Sequence, residues 1–141
     1  MIDDLIRERL KKLAQLRNAG IDPYLAVTHR DGAIADILLS FARLAKSKKK
    51  TTVAGRVIGF RNQGNLFFAD ISDASGKMQV VAKKDVTAQF EIYRDALDIG
   101  DFLEATGVCF TTKRGEKSIE ARSLAMLMKS VRPLPSQWHG L

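Results

Sequence analysis

Residues 53–81 constrain this chain more than any other stretch, because two turn signals cut them into three short apolar runs. Residues 53–58 are rich in β-branched side chains, and Asn62, Gln63, Gly64 and Asn65 follow as the first turn signal. Residues 66–71 make a second apolar run, Asp73, Ala74, Ser75 and Gly76 a second turn, and residues 78–82 a third run. The pattern predicts three strands. Side chains alternate across a strand, so Phe67, Ala69 and Ile71 share one face and Leu66, Phe68 and Asp70 the other. On the third strand Met78, Val80 and Ala82 oppose Gln79 and Val81. A face carrying Phe68, Asp70 and Gln79 is a poor core and reads as a binding surface, with Arg61 beside it at the end of the first strand.

The order of the remaining elements narrows the fold. Residues 84–97 read as a helix with Val86, Phe90, Tyr93 and Leu97 on one side, residues 98–101 as a turn, and residues 102–112 as a fourth strand. Lys113, Arg114 and Gly115 form a tight hairpin before a fifth strand over residues 116–127. The sequence β-β-β-α-β-β is the order of the OB-fold, a five-stranded Greek-key barrel. Two helices precede it. Ile2, Leu5, Ile6, Leu10, Leu13 and Leu16 recur at helical spacing, with Asp3 and Asp4 at the start and Gly20 as a stop. Arg7, Arg9, Lys11, Lys12 and Arg17 form the opposite face, read as solvated. A second helix is predicted over residues 33–47, with Asp31 as its cap and Ile34, Ile37, Leu38, Phe41, Leu44 and Ala45 as its apolar stripe. The expected organisation is a helical appendage over residues 1–50, the barrel over 51–128, and an extended exit segment over 129–141, where Trp138 and His139 pack or dock.

At 141 residues the chain suits one compact domain with an added element. No apolar run approaches the roughly 20 residues of a membrane span, and the acidic start does not resemble a secretory signal. The single cysteine, Cys109, fits a buried structural thiol and a reducing, cytoplasmic setting. The net charge of +7 is concentrated in residues 1–50, with 11 Lys and Arg against 6 Asp and Glu. Such a bias favours a polyanionic partner. The run Lys46 to Lys50 reads as a solvated border that could also steer phosphate.

Catalysis lacks its parts. There is no phosphate-binding glycine loop, dinucleotide fingerprint or metal-ligand cluster, and His29 and His139 stand apart in loop-like stretches as surface or packing residues. Binding has its parts. OB-folds bind oligonucleotides or oligosaccharides across strands two and three, where single-stranded bases stack on aromatic rings for about 1–3 kcal/mol each. Phe68 is either that platform, or a residue that covers a barrel opening or packs under the N-terminal helices. Gln79 can donate to and accept from a base edge, and Arg61 can contact phosphate or stack. Glu116 is unfavourable near a polyanion unless it accepts a particular proton. Uracil offers one at N3, where cytosine presents a lone pair, so Glu116 would discriminate partly by repulsion.

Several motifs, taken together, carry a specific resemblance. They are Leu16-Arg17 with Gly20-Ile21-Asp22-Pro23-Tyr24, Gly55-Arg56, Phe68, and Asp73, Gly76 and Gln79 at three-residue spacing. Gly100-Asp101, Thr112-Lys113 with Gly115-Glu116, and Lys129 with Arg132-Pro133-Leu134-Pro135 and His139-Gly140-Leu141 complete the set. The chain resembles the N-terminal anticodon-binding domain of bacterial-type class II lysyl-tRNA synthetases along essentially its whole length. It departs from the family at Asn65, where Lys is usual, and at Lys117, where Leu is common. The resemblance implies that the barrel binds the anticodon of tRNA(Lys) and reads its middle uridine. Phe68 would stack on that base, Gln79 and Glu116 would read its edge, and Arg61 would hold the backbone. It implies no cofactor in this chain and no catalysis by it. ATP, Mg and lysine transfer would belong to a catalytic domain beyond residue 141, in a parent enzyme expected to be a homodimer. The alternatives are a stand-alone OB module that binds single-stranded nucleic acid without sequence preference, and a protein-interaction module.

Overall fold

The computed structural model describes residues 2–23 and 28–130. Five strands close into a barrel: β1 (Lys50–Asn62), β2 (Leu66–Ser72), β3 (Lys77–Lys83), β4 (Phe102–Thr111) and β5 (Lys117–Met128), in the order β1-β2-β3-β5-β4. All pairings are antiparallel except β3 with β5, a short parallel ladder in which Gln79 faces Ser118 and Val80 faces Ile119. This is the OB-fold topology that the element order predicts. Phe67, Ala69, Ile71, Val80 and Ala82 are fully buried, and burial alternates residue by residue on β2, whereas on β3 Gln79 and Val81 of the opposite face are buried too. β1 is longer than its β-branched centre suggests. It closes the barrel by pairing its first half with β4 and its second half with β2.

Closure brings backbones very close at Gly107. A Cβ there would lie 1.8 Å from the Glu120 carbonyl oxygen, next to an irregularity in the β4–β5 register. Only glycine fits such an approach. Gly55 is similar, with a Cβ position 2.8 Å from the Ser72 carbonyl oxygen, which gives the Gly55-Arg56 motif a steric reason.

The helix after β3 is shorter than periodicity predicts. Residues 84–89 form turns, and only α4 (Phe90–Ala96) is helical. The Thr87 hydroxyl accepts the Lys83 amide at 3.0 Å and donates to the Ala121 carbonyl at 2.6 Å, tying the segment to β5 in competition with helical bonds. Gln89 then takes a left-handed φ of 56°. Phe90, Tyr93 and Leu97 are buried as expected, while Val86 is exposed. The Phe90 ring stacks on Phe67 at 5.5 Å, so α4 plugs the barrel end.

The second N-terminal helix is two short ones, α2 (Ile34–Leu39) and α3 (Phe41–Ser47), meeting at Ser40. Asp31 does not cap it. Its carboxylate accepts the Thr52 amide at 2.7 Å, and the α2 amides go elsewhere. Ile34 N–H donates to Asp73 at 2.9 Å, and Ala35 N–H to the Ser75 hydroxyl at 3.0 Å. Asp73 therefore organises its own β2–β3 turn, accepting the Ser75 and Gly76 amides, and also caps α2. Burial disfavours its charged form, but the bonds from Ile34, Ser75 and Gly76 outweigh that and hold the carboxyl below its ordinary value.

α1 (Ile2–Asn18) also differs from its helical pattern. Leu13 and Leu16 are buried, but Ile2, Leu5 and Leu10 are exposed, and Arg9, expected on the solvated face, is only 6% exposed. The reason is a buried ionic junction. Lys129, leaving β5, donates to Asp98 at 2.9 Å and to Asp101 at 2.7 Å. Lys12 reaches Asp98 at 2.6 Å, and Arg9 lies 3.8 Å from the same carboxylate. Asp101 also accepts the Asp98 and Ser130 amides, each at 2.8 Å. Burial raises the Asp101 carboxyl above its usual value despite Lys129. At Asp98, burial is outweighed by Lys12 and Lys129, and the carboxyl is lowered. The junction pins α1 and the barrel exit to the turn before β4. Residues 131–141, including Trp138 and His139, and Tyr24 lie outside the described residues.

Candidate nucleic-acid interface

Each predicted site residue is placed by a different piece of the barrel. Arg61 ends β1, Phe68 is central in β2, Gln79 lies in β3, and Glu116 closes the β4–β5 hairpin. Pairing puts Arg61 directly opposite Phe68 and Asp70 opposite Gln79. The Arg61 guanidinium sits 4.7 Å from the centroid of the Phe68 ring, a cation–π contact on the outer face of the sheet. The parallel β3–β5 ladder carries the hairpin up to Gln79. All four residues line one cleft of about 250 Å³, together with Gln63, Thr112, Lys113 and Arg114.

The chemistry of the cleft is set by what is free to bind. Gln79 is 5% exposed, so its amide forms the floor. Its Oε1 accepts from the buried Ser118 hydroxyl at 2.9 Å, which leaves the Nε2 hydrogens for a ligand. Phe68 is half-buried, whereas Arg61 and Glu116 are exposed. The hairpin is held by its own bonds: Gly115 N–H donates to the Thr112 carbonyl at 2.9 Å, and Glu116 N–H to the Thr112 hydroxyl at 3.1 Å. Gly115 has φ 85°, a conformation glycine adopts without strain. Arg61, Lys113 and Arg114 make the cleft basic, and Glu116 is the one carboxylate lining it among the described residues. Gln79 and Glu116 also border an adjoining hollow of about 500 Å³ that includes Leu38, Ile58 and Lys77. They form the ridge between the two.

Residues 51–127 match the tRNA anticodon family model, described as an OB-fold nucleic acid binding domain. The chain belongs to this family. A lysine–tRNA ligase of Roseiflexus sp. (strain RS-1) is 43% identical over 143 residues, covering 99% of this chain and 29% of that protein. The ligase of Chloroflexus aurantiacus is 41% identical over the same shares, and that of Fervidobacterium nodosum 31% identical over 100% of this chain and 28% of its own length. The chain thus spans under a third of the relatives it matches.

Within an OB-fold nucleic acid binding domain the cleft lies where such barrels take oligonucleotides: the face of strands two and three, flanked by the β1–β2 and β4–β5 loops. Sequence reasoning named the four residues now seen together, read Gln63 and Arg114 only as turn residues, and gave no role to Ser118. Ser118 shares its strand parity with Glu116, but its contact with Gln79 arises from strand pairing between segments far apart in sequence. His29 takes no part in the cleft, and its backbone amide is bound by Glu104 at 2.8 Å. Cys109 is buried in β4, and burial raises its thiol pKa despite a bond from Thr51, as suits a structural thiol.

Proposed function

We propose that this chain binds the anticodon loop of tRNA(Lys) and reads its middle uridine, as part of a cytoplasmic lysine–tRNA ligase. The observation that supports it is the single cleft shared by an aromatic ring, a positioned amide, a carboxylate and basic side chains. In this reading the uracil stacks on Phe68. The Nε2 hydrogens of Gln79 meet a uracil carbonyl, and Glu116 accepts the N3 proton. Cytosine would present a lone pair to Glu116 and, in place of the C4 carbonyl, an amino group to Gln79, so both contacts discriminate in the same direction. Arg61, Lys113 and Arg114 neutralise the flanking phosphates. Attachment of lysine, with ATP and Mg, belongs to the part of such ligases that this chain does not match, and pairing into a homodimer is proposed only for the whole ligase.

The test is binding of the chain to an anticodon stem-loop with U at the middle position against the same RNA with C. Phe68→Ala should weaken both by about 1–3 kcal/mol, roughly fivefold to 150-fold. Glu116→Gln should reduce the preference while keeping much of the affinity, leaving the part that Gln79 supplies. Equal binding of both loops by the native chain would indicate a general single-strand binder. Binding of neither, with no dependence on salt, would indicate a protein-interaction surface.

A further inference from the structure

We propose that the outer side of α3 and the start of β1 form a second RNA contact, a phosphate track for the helical stem next to the loop. It rests on the anticodon reading and adds where the rest of that RNA lies. Lys46, Lys48, Lys49 and Lys50 follow one another at the end of α3 and the first residue of β1, all exposed. Arg43, one helical turn before Lys46, is exposed as well. None of these five side chains lies within ion-pairing distance of a carboxylate among the described residues. In contrast, the basic residues of α1 largely pair with their own neighbours, Arg7 with Asp4 and Lys11 with Glu8. Unpaired cations held close together repel one another, and a polyanion relieves that.

Placement links this patch to the cleft. Lys50 pairs with Val108 on β4, and Thr111, three residues further along, pairs with Lys117 just beyond the hairpin. At strand spacing the distance is about 10 Å. The Lys117 ammonium lies 5.6 Å from the centroid of Phe41, the first residue of α3, and so bridges hairpin and helix. The result is a continuous basic path from Arg114 and Lys117 along α3 to Lys50. Lys48 has a left-handed φ of 55°, which ends α3 and turns the chain into β1. Two carboxylates share the hollow between α2, α3 and β1. Asp31 is turned to the Thr52 amide, and Asp36 makes no ion pair among the described residues. Arg43, Lys49 and Lys50 line the same hollow, so the five cations less these two carboxylates leave the path a formal charge of +3. The path gives no base-edge chemistry, only charge, so its ligand is the sugar–phosphate backbone and its effect is independent of sequence.

The experiment compares Lys48→Gln with Lys49→Gln, combined in the full chain, against the native chain on two RNAs: the complete stem-loop and the loop strand alone. Affinity is measured as a function of salt. The expected result is a salt slope for the stem-loop lower by about 2, close to 1 for each phosphate that is no longer neutralised. Binding of the loop strand, and the U-over-C preference, should be unchanged. A control removing the same charge from α1, Arg7→Gln with Lys11→Gln, should leave the slope as it was. An unaltered slope in the α3 variant, an equal loss on the loop strand, or an equal effect of the α1 control would each overturn the track. Loss of U preference in the native chain, with the slope still responding, would overturn the base reading alone. No RNA binding by the native chain would overturn both.

Discussion

Lys129→Met is the most informative test of how the helical appendage is held to the barrel. The Lys129 side chain is fully buried, as is that of Asp101, its partner at 2.7 Å. Methionine fills similar volume but removes the charge, leaving Asp101 ionised with two backbone donors and no cation beside it. Asp98 keeps Lys12 at 2.6 Å, so the loss falls mainly on Asp101. Leaving one member of a buried ion pair unpaired costs about 3–5 kcal/mol, a large part of the roughly 5–15 kcal/mol that holds a domain folded. Urea unfolding at pH 7 should show it as a lower midpoint. The sign of the pH dependence follows from the carboxyl that is stranded. Asp101 already titrates above its ordinary value because it is buried, and without Lys129 it rises further. A raised carboxyl contributes stability below its unfolded value and loses it as pH climbs through the folded one. The deficit of the variant should therefore shrink as pH falls from 7 toward 4, because protonation removes the unpaired charge. Adding Asp101→Asn should restore most of the loss at pH 7. A deficit below about 1 kcal/mol, or one equal at both pH values, would refute the claim that the junction is held by this charge pair.

Two further outcomes follow from single contacts. Ser118→Ala removes the hydroxyl that fixes the Gln79 amide, leaving Oε1 buried without its donor. It should cost about 1–3 kcal/mol in stability and reduce the U-over-C preference, and unchanged discrimination in competition binding would exclude a positioning role. Asp73→Ala deletes the acceptor for the α2 amide and the β2–β3 turn together. It should destabilise by about 2 kcal/mol or more, with α2 amides losing hydrogen-exchange protection before those of β1, whereas uniform loss across the barrel would argue against a local cap.

The strands, the closed order and the faces of β2 and β3 were legible in the sequence because alternation is a local property of extended chain. Phe67 and Phe68 are adjacent and chemically alike, yet period two alone sends one to the core and the other to the cleft. The candidate site was legible for the same reason, since Arg61, Phe68 and Gln79 stand on faces that alternation assigns and Glu116 follows a recognisable hairpin. What the sequence could not show depends on partners distant along the chain. Arg9 and Lys12 look like solvated helix residues until Asp98 and Lys129 arrive from the far end. Asp31 looks like a cap until Asp73 takes the Ile34 amide from a turn 39 residues away. Residues 84–89 carry helical periodicity, but Thr87 is bound to β5 and the helix begins later. The orientation of the Gln79 amide is likewise decided by Ser118, a neighbour only once β3 and β5 lie parallel. Local patterning determined which residues face inward. Tertiary structure decided which polar groups satisfy one another, because a buried charge or amide takes its partner from whatever segment the closed barrel brings within hydrogen-bonding reach.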